Sequence, residues 1–342
     1  MVAIGAQKED NVCIMSYNVQ SIPTAIVPST NLGSRKKILP EYIKKIVDKY
    51  SVKILVLQEL FDKSLYNEIK KILEDILPYS TGLIGVKKEY ANWTSCMDCS
   101  EMPIRLLNGG TCLFTEYKIV EKHQMVFRNS RNTCSLAAKG ACLAVLSKGE
   151  KLINVIGTHM QAFDGVNVDI RKVQYLELLM WLEKLFNKKV ESPHYYSVSR
   201  ENKFVMAGDF NTCCVNQKPD FDVMVSQSRM SNFVRFELTM LKESMDPTYC
   251  THTNDYCKLC KFTRKSKHLA NSEDFSHIYD YIFVGPDVKV VQPQRSVRDR
   301  LKTPVLVRRF YLYCIGATKK KVYNPSDHFP IYAVLNSSIC NE

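Results

Sequence analysis

A layered α/β sandwich, with two sheets inside and helices outside, is the fold class this sequence predicts. Short apolar runs rich in β-branched residues recur along the chain, and helical patterns fall between some of them. No internal repeat and no Pro/Gly/Ser linker divides the 342 residues. The chain is therefore read as one domain over 1–342, its core running from about residue 11 to residue 336. Irregular insertions are expected near 89–108, 217–231 and 251–276.

In chain order the predicted strands are VCIMSYNV (Val12 to Val19), VKILVLQEL (Val52 to Leu60), TCLFT (Thr111 to Thr115), CLAVLS (Cys142 to Ser147) and LINVIGTH (Leu152 to His159). KFVMAGDFN (Lys203 to Asn211), YDYIFV (Tyr279 to Val284) and FPIYAVL (Phe329 to Leu335) complete the set. Each is a run of four to nine mostly apolar residues with strand composition. Helices are expected over Ile38 to Tyr50, Leu65 to Leu77 and Val173 to Phe186, where apolar residues stand three or four apart.

Composition narrows the partners. Hydrophobic residues make up 45% and charged residues 24%, which is globular usage and excludes wholesale disorder. The formal net charge of +12 favours anionic partners: phosphate esters, nucleic acid or an acidic membrane surface. No apolar run reaches transmembrane length, so contact with a bilayer is expected to be peripheral. The opening MVAIGAQKED has no apolar core of a secretory leader, and 13 cysteines is an odd count. Both make a reducing, cytoplasmic location the default, and a leader lying outside this chain would make the protein secreted. CMDC (Cys96 to Cys99) and the group Cys250, His252, Cys257, Cys260 have half the look of zinc sites. The alternatives are free thiols inside a cell and disulfides outside one.

The ends of the predicted strands carry the chemistry. They supply Asn18, Gln58-Glu59, His159 with Gln161, Asp209 with Asn211, Asp280, and Asp327-His328. Singly, each suits a turn or a strand end. Gathered at one edge of a sandwich, they make a phosphodiester-hydrolysing site. Glu59, helped by Asn18, offers hard oxygen ligands to a divalent ion such as Mg²⁺. His328 is placed as general base, since imidazole titrates near neutral pH. Asp280 would accept from the other ring nitrogen of His328. Asp209 and Asn211 would orient the attacking water or bind a second ion. His159 would donate to the non-bridging phosphate oxygens, and Gln161 would support the same pocket.

These segments also resemble a known set. SYNVQ, LVLQELFD, GTHMQAFD, GDFN, YDYIFV and SDHFPI stand in the order found in the endonuclease/exonuclease/phosphatase superfamily. The resemblance spans Cys13 to Leu335 and is greatest to neutral sphingomyelinases of the bacterial secreted type. It implies a four-layered α/β/β/α sandwich like that of deoxyribonuclease I. It also implies Mg²⁺-dependent cleavage of sphingomyelin to ceramide and phosphocholine, with Mn²⁺ or Co²⁺ able to substitute. Asn18, Glu59, Asp209 and Asp327 match the metal positions, and His159, Asp209, Asn211 and His328 the catalytic ones. Asp280 matches the histidine's partner.

Its implied partner is a choline phospholipid at a membrane surface. The stretch VLVRRFYLYCIGATKKKVY (Val305 to Tyr323) corresponds to an aromatic hairpin that meets the membrane in that family. Here apolar and basic residues mix, which suits an interfacial element or an ordinary strand pair with a basic rim. A nuclease of the same superfamily is the competing reading, favoured by the basic charge. A phosphatase lacks support because NPSDHFP stands where that branch carries Trp-Cys-Asp-Arg. A binding module that has lost catalysis would show erosion at these positions, and all of the expected residue types are present.

Overall fold

A computed structural model describes residues 11–26, 31–97, 105–149, 151–187, 198–199, 202–230, 237–238, 248–250, 276–310 and 317–336. The first half runs β1 (Val12–Asn18), α1 (Leu32–Arg35), α2 (Leu39–Lys49), β2 (Val52–Gln58), α3 (Lys63–Ile72), β3 (Tyr79–Ser80), β4 (Ser95–Met97), β5 (Cys112–Thr115), β6 (Lys118–Val126) and β7 (Gly140–Lys148). The second runs β8 (Lys151–His159), α4 (Asn167–Asn187), β9 (Lys203–Asp209), α5 (Lys218–Met230), β10 (Glu237–Leu238), β11 (Tyr249–Cys250), β12 (Ser276–His277), β13 (Asp280–Val284), β14 (Val290–Ser296), β15 (Val305–Phe310), β16 (Ala317–Val322) and β17 (Ile331–Leu335).

Two sheets form the centre. One has the order β14-β17-β1-β2-β5-β3 and the other β10-β13-β9-β8-β7-β6-β4. Val56, Leu113 and Ile14 of the first sheet meet Val155, Val205 and Ile282 of the second in a fully buried layer. On the far face of the first sheet, Tyr42, Ile43, Ile46 and Val47 of α2 and Leu65 and Ile69 of α3 cover Met15, Leu55 and Leu57. On the far face of the second, Tyr175, Leu178, Trp181 and Leu182 of α4 and Phe221 and Met224 of α5 cover Leu143, Ile156 and Met206. The result is the expected α/β/β/α order of layers. α3 starts where it does because Asp62 caps it, accepting from Leu65 N at 2.9 Å.

Each strand and helix predicted above is present, with ends shifted by a few residues. Other elements were not anticipated. β6 is missed by its pattern because Glu121 and His123 interrupt the apolar alternation; in the fold both are buried and bonded to each other, Nε2 to Oε2 at 3.0 Å. Much of the expected insertion 217–231 is instead the helix α5, which among the described residues carries Phe221 and Met224 as its buried core anchors. The insertion near 89–108 is partly ordered by a 3-10 turn over Lys87–Asn92 and by β4. Cys96 is disulfide-bonded, while Cys13, Cys112, Cys134, Cys142, Cys213 and Cys214 are buried and form no disulfide. His252, Cys257 and Cys260 of the suggested zinc group lie outside the described residues, as does most of the insertion 251–276. Among the described residues, no helix is long and apolar enough to cross a membrane.

Candidate active site

Strand register brings the polar strand ends together. β1 and β2 run parallel with Asn18 beside Gln58, and β8 and β9 run parallel with His159 beside Asp209. β13 is antiparallel to β9 with Asp280 beside Asp209, so Asp209 stands between His159 and Asp280. Asn18 Nδ2 then donates to Asp209 Oδ2 at 2.9 Å, a hydrogen bond from one sheet to the other. β17 pairs with β1, and this carries Asp327 and His328, just before it, past the same edge. Ser326 Oγ donates to Asn18 O at 2.7 Å and locks that passage.

The chain bends sharply where these residues leave their strands. Glu59 has φ 54°, Asn211 φ 52° and Gln20 φ 48°, left-handed conformations that cost non-glycine residues free energy. Surrounding bonds hold them there. Asn211 N donates to Asp209 Oδ1 at 2.9 Å, and Gln20 N donates to Asn18 Oδ1 at 3.0 Å. Behind Glu59, Leu60 N donates to Gly110 O at 2.8 Å; Gly110 has φ 67°, and a Cβ there would meet the Phe61 ring at 2.8 Å and Glu59 Cα at 3.1 Å. Glycine is required at this one close approach.

The centre of the site is compact and buried. Asp209, Asp280 and His328 can each point one ligand atom at a common point, these atoms lying within 4.8 Å of one another. His328 Nδ1 bonds Asp280 Oδ2 at 2.8 Å, which places the Nδ1 proton between them and leaves Nε2 facing Asp209 Oδ2 at 3.9 Å. His159 Nε2 lies 3.7 Å from Asp209 Oδ2 and 3.9 Å from Glu59 Oε1. Asp327 Oδ2 accepts from Gln20 Nε2 at 2.6 Å. Burial, then the charge of Asp280, holds the Asp209 carboxyl well above the usual range. Burial also raises Glu59, against the pull of Lys139. For His328 burial works downward, but Asp280, Asp209 and Asp327 outweigh it and raise the imidazole to about 10.

Two predicted residues are placed differently from the expectation. His159 Nε2 accepts from the Lys139 ammonium at 2.8 Å, so its proton sits on Nδ1, and burial with the Lys139 charge keeps the ring neutral. The donor toward the carboxylates is therefore Lys139, whose charge acts on Glu59 and Asp209, rather than His159 Nε2. Gln161 spends its amide on Arg131 N and O and on Asn167, at 3.0 to 3.2 Å, holding the neighbouring loop rather than turning toward Asp209. Sequence reading missed Lys139, Gln20 and Arg35. The signal for Lys139 was a lone cation between apolar neighbours in AAKGACLAV, where a strand begins. Arg35 is fully buried and donates to Pro325 O, Gln20 O and Val19 O at 2.6, 2.7 and 2.5 Å, tying the end of β1 to the loop of Asp327.

A divalent cation fits these residues. Glu59 Oε2, Gln20 Oε1 and Asp280 Oδ1 are buried without a hydrogen-bond partner, a costly state for acceptors that a cation relieves. The surrounding donors are carboxylate and amide oxygens, the hard set that suits Mg²⁺ rather than a softer metal.

No family model matches the chain. In sequence it is 24% identical to sphingomyelinase C of Bacillus cereus over 342 aligned positions, covering 94% of this chain and 88% of that protein. In structure it is similar to a magnesium-bound double mutant of Staphylococcus aureus beta toxin, with a TM-score of 0.71 at 21% identity, covering 94% of this chain and 99% of the other. An endonuclease/exonuclease/phosphatase family protein of Bacteroides thetaiotaomicron aligns with a TM-score of 0.56 at 15% identity, over 96% of this chain and 98% of its own. The resemblance read from the motifs thus extends along nearly the whole chain: it is similar to bacterial-type sphingomyelinases and has the deoxyribonuclease-I-like fold of the endonuclease/exonuclease/phosphatase superfamily.

Proposed function

We propose that this protein is a Mg²⁺-dependent phosphodiesterase that hydrolyses sphingomyelin to ceramide and phosphocholine by in-line attack of water. The observation that carries the reading is the His328–Asp280 pair, 2.8 Å apart, set among buried Asp209, Asp327 and Lys139 with half-buried Glu59. Likeness to sphingomyelinase C over 94% of the chain supports the lipid substrate.

Glu59, Asp209 and Asp327, with the amide oxygens of Asn18 and Gln20, would hold the cation. Bound there, Mg²⁺ supplies charge stabilisation to the phosphoryl group and the leaving oxygen. Asp280 fixes the tautomer of His328; the imidazole, raised to about 10 by the surrounding carboxylates, would take the proton of the attacking water at Nε2 once a bound cation offsets their charge. Asn211, anchored by Asp209, holds that water or a phosphate oxygen. Lys139, whose ammonium is held by His159 Nε2 at 2.8 Å, would stabilise the charge that grows on the non-bridging oxygens. Water exclusion follows from burial: His159, Asp209 and Asp280 are at most 1% exposed.

The lipid would be met at a membrane surface. The two-stranded ribbon β15–β16 sets Arg308 opposite Lys319 and Leu306 opposite Lys321 in backbone register. A ribbon with this register suits the headgroup region of a bilayer. Residues 311–316, between the two strands in sequence, lie outside the described residues. The disulfide at Cys96 supports an oxidising compartment, in keeping with the secreted alternative.

The test offers sphingomyelin vesicles and plasmid DNA to the purified protein side by side, with Mg²⁺ and then with chelator. Mg²⁺-dependent phosphocholine release with intact DNA is expected. DNA nicking with intact lipid would keep the site and move the substrate to nucleic acid, the class that the +12 charge also favours.

A further inference from the structure

The aromatic rings beside His328 take no part in the chemistry above. Tyr249 stands 5.2 Å from the His328 ring at 62°, and Tyr279 lies 5.8 Å from Tyr249 and 6.5 Å from His328. His277 stacks on Tyr279 at 5.0 Å and 9°. Backbone pairing fixes all of them. Tyr249 pairs with His277 on one side and bridges to His328 on the other. Thr248, fully buried, is the clamp: its N donates to His277 O at 3.0 Å, its O accepts from Phe329 N at 2.8 Å, and its Oγ1 accepts from Tyr279 N at 3.0 Å. The rings are thereby held in place before any ligand arrives.

Tyr249 and Tyr279 are half-buried although His328 and Asp280 are buried, so both residues keep accessible surface beside the site. A carboxylate joins them. Asp164 Oδ1 accepts from Gln217 and lies 3.6 Å from Arg171 Nη2, and Asn216, the neighbour of Gln217, meets His277 Nδ1 at 3.2 Å, which ties the carboxylate to the ring cluster. Arg171 in turn donates to Gln161 O and Phe163 O, which sets the loop that presents Asp164.

Aromatic faces with one carboxylate form an environment for a cation that has no N–H to donate. A quaternary ammonium is such a cation: it is weakly hydrated and is held by ring faces rather than hydrogen bonds. In phosphocholine two carbons separate the ammonium from the phosphate, so its subsite has to lie within a side chain's reach of the phosphoryl centre. The rings around His328 meet that requirement.

We infer that Tyr249 and Tyr279, with Asp164, form the subsite for the quaternary ammonium of a phosphocholine head group. This rests on the sphingomyelin reading for its ligand, and it names what selects the head group. The same head group occurs on phosphatidylcholine, so the subsite recognises the shared chemistry and not the ceramide.

Binding tests it without requiring turnover. The full chain, loaded with Mg²⁺, is titrated by calorimetry with phosphocholine, phosphoethanolamine and inorganic phosphate, as wild type, Tyr279→Leu, Tyr279→Phe and Tyr249→Leu. The expected result is a preference of about 5- to 20-fold for phosphocholine over phosphoethanolamine in the wild type. Either leucine variant should lose it, Tyr279→Phe should keep it, and phosphate affinity should change less than twofold. Equal binding of the two esters by the wild type, or an unchanged preference in both leucine variants, would overturn the inference. So would a parallel fall in phosphate affinity, because the rings would then only hold the site together. Turnover of sphingomyelin and phosphatidylcholine vesicles by the wild type separates the two levels. A phosphocholine preference with no lipid turnover removes the sphingomyelin reading and leaves the subsite, whereas turnover without the preference does the reverse.

Discussion

In the proposed mechanism, His328 and Asp280 set the chemical logic of the site at the scale of single residues. A buried imidazole sharing its Nδ1 proton with a fully buried carboxylate is oriented and made more basic, and both effects disappear when the carboxylate becomes an amide. Asp280→Asn is expected to lower kcat by about 10- to 100-fold with little change in KM, measured on sphingomyelin vesicles. Lys139 has a different task. Its ammonium faces His159 and, through its charge, Glu59 and Asp209. Lys139→Met should reduce kcat by about 100-fold, with partial recovery in Lys139→Arg. A rate within twofold of wild type would remove Lys139 from the site's chemistry. Asn18, Glu59, His159, Asp209, Asn211, Asp280, Asp327 and His328 were legible in the sequence because strand ends rich in hydrogen-bonding groups are conspicuous among apolar runs. Lys139 and Arg35 were not, since one cation among 47 carries no pattern.

Elements place those residues through a few backbone constraints. Gly110 lets the strand β5 pass behind Glu59, where an added Cβ would press on Phe61 and on Glu59 itself. Gly110→Ala is therefore expected to weaken Mg²⁺ binding by about tenfold or more, read as the concentration giving half-maximal activity, through displacement of Glu59 from its left-handed turn. Arg35 works in the same way at the other side, as a buried staple between the end of β1 and the Asp327 loop. Arg35→Met leaves three carbonyls without their donor and should cost about 3 kcal/mol of stability in denaturant unfolding, on the usual penalty for unsatisfied buried groups. Strands with continuous apolar runs were legible, and so were helices with a clear stripe. β6 and α5 were not: β6 buries a bonded Glu121–His123 pair, and α5 offers few apolar anchors, so neither shows the period of its own element.

For the whole molecule, the order of layers followed from alternating strand and helix signals, because each sheet face must be covered by something apolar. The pairing of sheet one to sheet two through Asn18 and Asp209 was not readable, since it depends on register between residues 191 apart in the chain. The same packing makes the interior chemically quiet. Burial pushes the thiols of Cys13 and Cys142 up to about 12 from 9.0. Folding keeps these protons bound, so their contribution to stability is complete below pH 9 and is lost as pH rises toward 12. Both thiols should react with a maleimide at pH 7.5 only after denaturation, as counted by mass spectrometry. Fast labelling of Cys142 in the native protein would contradict the packing described between the sheets.

The central claim is that water, activated at His328, attacks phosphorus and expels the ceramide oxygen. It is tested most directly by ³¹P NMR of sphingomyelin hydrolysis in ¹⁸O-enriched water with Mg²⁺ present. Phosphocholine carrying one ¹⁸O is the expected phosphorus product, with no reaction in His328→Ala. Free choline with the phosphate left on ceramide, or phosphocholine without the isotope, would contradict it.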